Sequence, residues 1–175
     1  MPGGQLGEAT GHQQQFAAAA ARVPDSRNLF NNTCQDILQI AGAMLDGELE
    51  YRKGNFGAAF GQLRRAIELD DGLPYDEPWG WMQPTRHAYG ALLLEQGRVE
   101  EAETVYAEDL GYVASIPRSS WHPGNVWSLH GYHECLVRLG KAEPAQIVKQ
   151  QLDVALARAD VPIESSCFCR MADAA

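Results

Sequence analysis

The stretch that decides the fold is "RHAYGALLLEQGRVEEAETVYAEDL", Arg86 to Leu110. Its apolar residues recur every three to four positions on both sides of Gly97, and neither half alternates as a strand would. Gly97 suits a helix end, where a left-handed residue stops one helix and lets the next turn back. The stretch therefore predicts two antiparallel helices. The small Ala102, five residues beyond the glycine, permits their close approach.

The same signal recurs at a fixed period. Gly54, Gly97 and Gly140 are each 43 residues apart, and Ala59, Ala102 and Ala145 follow them at the same offset. Helical stretches flank the outer glycines too, "AGAMLDGELEYRKG" and "NFGAAFGQLRRAIEL" around Gly54, "NVWSLHGYHECLVRLG" and "KAEPAQIVKQQLDVALARA" around Gly140. Upstream, "QQQFAAAAARV" predicts one further helix ending before Pro24, with Asp25 or Ser26 as a cap for the next. Pro84 kinks its helix or marks its true start.

With Gly47 and Gly90 in the first helices and "GRVEEAETVYAEDL" as a second helix, the chain resembles the tetratricopeptide repeat family over residues 40 to 159. The period exceeds that family's usual length of about 34, and His133 stands where Gly47 and Gly90 set the pattern. The segment "YDEPWGWMQPTRHA" and the ending "SCFCR" also look like a group of bacterial and fungal proteins of this kind. The resemblance implies an all-α chain: a right-handed α-solenoid of about three helix pairs preceded by one lone helix. Residues 1–25 would be a half-repeat, 26–159 the three hairpins and 160–175 a tail. The lone helix leaves an apolar side that a homodimer would cover.

Composition narrows the function. The 175 residues are of ordinary globular make-up and carry a formal charge of −9, which argues against nucleic-acid or anionic-membrane partners. No apolar run reaches membrane-span length, and no signal peptide is recognisable, so the expected compartment is cytoplasmic and reducing. In that setting Cys34 and Cys135, at apolar helical positions, read as buried thiols.

The resemblance implies that the first helix of each pair lines a concave groove. Met44, His87 and His130 occupy equivalent positions there, as do Glu48, Ala91 and Glu134. Two imidazoles in register on neighbouring helices would converge on one ion. Cys167 and Cys169 lie in the tail, within reach of that groove, with Val161, Ile163 and Phe168 as an apolar anchor. A ring closed between residues one apart is small, which disfavours a disulfide. The pair is instead expected to face a soft metal. His87, His130, Cys167 and Cys169 form the candidate ligand set, for copper ahead of zinc, with copper-dependent oxidative catalysis as the reaction class. Gln83, Arg86, His122 and Trp127 would join Met44, Glu48 and Glu134 in contacting a small molecule. The alternative is a groove that binds a peptide or helix.

Overall fold

The computed structural model describes residues 3–170. Among the described residues it contains seven α-helices and, between the first two of them, one minimal hairpin that the sequence did not announce. Residues 1–2 and 171–175, the extremes of the expected half-repeat and tail, lie outside the described residues. The contacts gather into two compact units that divide in sequence at Thr85 and Arg86.

The first unit holds α1 (Gly3–Ala20), the two-residue strands β1 (Asn28–Leu29) and β2 (Asn32–Thr33), α2 (Cys34–Arg52) and α3 (Phe56–Asp71). The cap of α2 is Thr33, whose hydroxyl accepts from the Asp36 backbone N–H at 3.1 Å. Asp25 and Ser26 are displaced from that role because the β1–β2 hairpin intervenes. Helix α1 is not bare: Phe16 meets Gly42 of α2, and Gln13 donates to Asp46 at 2.6 Å. The connection after α3 is fastened to the hairpin through Asp76, which accepts from the Asn31 backbone N–H and the Asn32 side chain.

The second unit holds α4 (Thr85–Glu95), α5 (Val99–Asp109), a short 3-10 turn (Arg118–Ser120), α6 (Val126–Arg138), α7 (Ala142–Leu156) and the tail. Consecutive helices pack as pairs. Pro84 immediately precedes α4 and so marks a start, not a kink.

The three glycine turns are alike in detail. Gly54, Gly97 and Gly140 have φ of +82°, +72° and +69°. At each, the glycine N–H reaches the carbonyl three residues back, and the next N–H reaches five back: Asn55 to Glu50, Arg98 to Leu93, Lys141 to Leu136, all 2.9 Å. This double bond closes a helix whose last carbonyls would otherwise be unpartnered. The alanines at the shared offset are buried. A Cβ added at Gly47 would meet Leu63, and one at Gly90 would meet the ring of Tyr106. The absence of a side chain in the first helix is what lets the second approach.

Candidate functional site

Two arrangements in the second unit carry chemistry, and the expected ligand set is divided between them. The first surrounds Asp109, the last residue of α5. It is wholly buried and unneutralised by any Lys or Arg. An isolated carboxylate there would be prohibitively costly, so donors must surround it. Four side chains do so. His122 Nδ1 donates to Oδ1 at 2.8 Å, and Oδ2 receives His87 Nε2 at 3.0 Å, Asn125 Nδ2 at 2.9 Å and Ser128 Oγ at 2.5 Å. The backbone adds a fifth tie, from the His122 N–H to the Asp109 carbonyl at 2.6 Å. Burial raises the Asp109 carboxyl pKa, but the bonds and charges of His122 and His87 outweigh it and hold the group well below the ordinary carboxylate range. Asn125 is also the N-cap of α6, its side chain accepting from the Ser128 N–H at 2.8 Å. The carboxylate thus faces the positive end of α6, which offsets its unfavourable place at the end of α5. His87 is therefore turned to Asp109, and His122 joins it from the α5–α6 connection.

The second arrangement is the tail. It does reach the helices, as its length allows, and it is fastened at four points. Ser166 is buried, and its hydroxyl shares a 2.5 Å hydrogen bond with Tyr106. The Tyr106 ring lies between α4 and α6, against Gly90 and Gly131. Phe168 sets its ring edge-on to Trp127, 5.1 Å between centroids. Cys169 Sγ lies 3.9 Å from the Ala88 carbonyl. Arg170 donates to Glu134 at 2.7 Å. Burial raises the Glu134 pKa, but Arg170, with Arg138 in support, brings it below the usual value. The expected apolar anchor is only partly realised: Val161 is half exposed and Phe168 largely so.

Cys167 and Cys169 stand at disulfide distance from each other, against the expectation that so short a ring disfavours such pairing. A turn, closed by the Arg170 N–H on the Cys167 carbonyl, brings their Cα atoms to 5.2 Å, inside the span a disulfide bridges. The Cys169 backbone N–H also donates to Cys167 Sγ at 3.1 Å. Cys167 is buried, whereas Cys169 is partly open.

His130 stands one turn before Glu134. Burial lowers its pKa, and Arg170 and His133 lower it further against the pull of Glu134. Its Nδ1 is buried without a hydrogen-bond partner. Among the described residues, no set of three or more His, Cys, Asp and Glu side chains is arranged to hold a metal ion.

The remaining expected contacts fall elsewhere. Met44 is a core residue of the first unit, buried because its helix turns that face inward. Glu48 is half-buried beside Arg52, with burial raising its pKa. Gln83 is exposed, and Arg86 is buried 3.5 Å from Glu108. Cys135 is fully buried as expected, its thiol pKa pushed up to about 12 by burial, but Cys34 is half-buried at the start of α2.

Asp109, Tyr106, Ser166 and Arg170 were not singled out by the sequence pattern. One signal was present: Asp109 stands a full period after the buried Ala66, a charged residue at a core position. Among the described residues no helix is long and apolar enough to cross a membrane. No protein-family model, curated protein or solved structure matches the chain.

Proposed function

We propose that the helix pairs are repeats of the tetratricopeptide kind and that their tail forms a soft-cation site. In the reduced state Cys167 and Cys169 supply two thiolates and His130 a neutral imidazole, a donor set suited to copper(I) or zinc. The supporting observation is the fastening of the tail at Ser166, Phe168 and Arg170, which holds the cysteine pair against the helices that carry His130. The lowered pKa of His130 favours the unprotonated ring that coordination needs. Arg170 offsets part of the charge that two thiolates and one monovalent ion leave behind. His87 is omitted from the donor set, because its Nε2 already serves Asp109.

The test is copper(I) titration into the fully reduced protein under argon. Tight stoichiometric uptake should be lost in Cys167→Ser and Cys169→Ser, weakened in His130→Ala, and retained in a His87→Gln variant that still folds. Equal uptake by His130→Ala and the unaltered protein would remove the histidine from the site. Uptake unaffected by both cysteine changes would sink the proposal.

A second reading is favoured by a separate fact: the α4–α6 face already holds a segment of its own chain, Ser165 to Arg170. On this reading the face, which holds the segment in bends and a turn and not as a strand, binds a peptide that displaces the tail. A chain ending at Glu164 should then bind extended peptides more tightly than the full chain, and equal affinity would count against it.

A further inference from the structure

The two tail sulfurs are not equivalent. Cys167 is buried and receives the Cys169 backbone N–H, while Cys169 is partly open and follows the largely exposed Phe168 in the chain. In thiol–disulfide exchange the sulfur attacked must be accessible, and the sulfur expelled must bear negative charge. A hydrogen bond to a sulfur stabilises its thiolate and makes it the better leaving group. Both requirements select the same direction. From this asymmetry we infer that the Cys167–Cys169 pair is a directional exchange site for low-molecular-mass thiols, entered at Cys169. It goes beyond the cation site and requires no metal.

The step balances as follows. An external thiolate attacks Cys169 Sγ. A bond forms between the incoming sulfur and Cys169, the Cys167–Cys169 bond breaks, and Cys167 departs as the thiolate that the Cys169 N–H receives. A second external thiolate then attacks the external sulfur of this mixed disulfide and releases Cys169. Two thiols have been oxidised to one external disulfide. The cysteine pair has taken up their two electrons and ends as two thiols with the two protons. The buried Cys135, its thiol pKa raised to about 12, stays out of the exchange.

The experiment uses the full chain in a Cys34→Ser background, with a chelator present throughout. Single-thiol variants Cys167→Ser and Cys169→Ser are exposed to oxidised glutathione, and mixed-disulfide formation is followed by intact mass. The variant that keeps Cys169 should react roughly tenfold faster or more than the one that keeps Cys167. Independently, the oxidised chain with both cysteines present is mixed with excess reduced glutathione and quenched with acid. Fragmentation of its tail peptide should place glutathione on Cys169. Equal rates in the two variants, or glutathione on Cys167, would overturn the inference. So would a pair that stays reduced in excess oxidised glutathione. Directional exchange in a chain that takes up no copper(I) upholds this inference and removes the cation site. Copper uptake with non-directional exchange does the reverse.

Discussion

The two units use one helical-pair geometry with different residues at three matched positions. One period separates Met44 from His87, Leu63 from Tyr106 and Ala66 from Asp109. In the first unit all three are apolar and buried, and Leu63 fills the space under Gly47. In the second unit the same positions hold a buried carboxylate, an imidazole bonded to it, and a tyrosine whose hydroxyl reaches the tail. The backbone plan, including the three glycine turns with their two hydrogen bonds each, is therefore indifferent to whether its core positions are apolar or polar. What polarity adds is attachment: Asp109 fixes the α5–α6 connection, and Tyr106 fixes the tail.

The largest test of that contrast is Asp109→Ala. It leaves His87, His122, Asn125 and Ser128 without their shared acceptor, and the expected cost is about 3–5 kcal/mol in urea unfolding. The converse change, Ala66→Asp in the first unit, supplies a buried carboxylate with no such donors and should be as damaging. A cost near zero for Asp109→Ala would show that packing alone holds the second unit. The pH dependence has a definite sign. The folded Asp109 pKa lies below its unfolded value, so its contribution is fully present above the ordinary carboxylate range of about 4 and is lost as pH falls through the folded pKa. The stability gap between the unaltered chain and Asp109→Ala should therefore narrow in acid.

Next in size come two glycines, one in each unit, that lie against a side chain of a neighbouring helix. Gly131→Ala drives a methyl into the Tyr106 ring, which Gly90 confines from the other side, and should cost about 1–3 kcal/mol. Gly47→Ala meets Leu63 at 2.7 Å, and the leucine's flexible end gives way more easily. Thermal melts should rank Gly131→Ala as the more destabilising. The opposite order would mean that Tyr106 is not the rigid element between α4 and α6.

Tyr106→Phe isolates the hydroxyl. Ser166 is left buried without its partner, at about 1–2 kcal/mol. Hydrogen exchange at residues 165–170 should quicken while α5 keeps its protection. Unchanged exchange in the tail would separate Tyr106 from tail docking.

The repeat was legible because glycine and alanine at a fixed period have one structural use each: a left-handed turn and a close approach. The helix count and all three turns followed from that pattern. The capping of α2 was not legible, because Thr33 is preceded by a hairpin whose ends are two residues long and leave no alternation to read. His87 was legible as an inward residue, but its partner was not. Asp109 lies in the second helix, and nothing local says that donors from the next connection and the start of α6 will surround it. The tail's arrival was read from chain length and topology. The close approach of its two cysteines was not legible, because the turn at Phe168 and Cys169 that brings them together depends on docking and not on local sequence.

The smallest effect concerns the outermost tie. Arg170 and Glu134 are partly exposed, so Arg170→Ala should cost only about 0.5–1 kcal/mol of global stability. Its local effect should exceed its global one, because the tie joins the tail to α6 and the cost falls on docking. The folded Glu134 pKa lies below the unfolded value, so the tie is complete above the carboxylate range and fails as pH drops through the folded pKa. Tail exchange in the unaltered chain should thus quicken in acid before the helices lose protection, and Arg170→Ala should show quick tail exchange already at neutral pH. The helices of the first unit provide the internal reference: α2 and α3 should exchange alike in both proteins. If Arg170→Ala speeds exchange in α2 as much as in the tail, the ion pair stabilises the whole chain, and the contrast between a packed unit and a tethering unit fails.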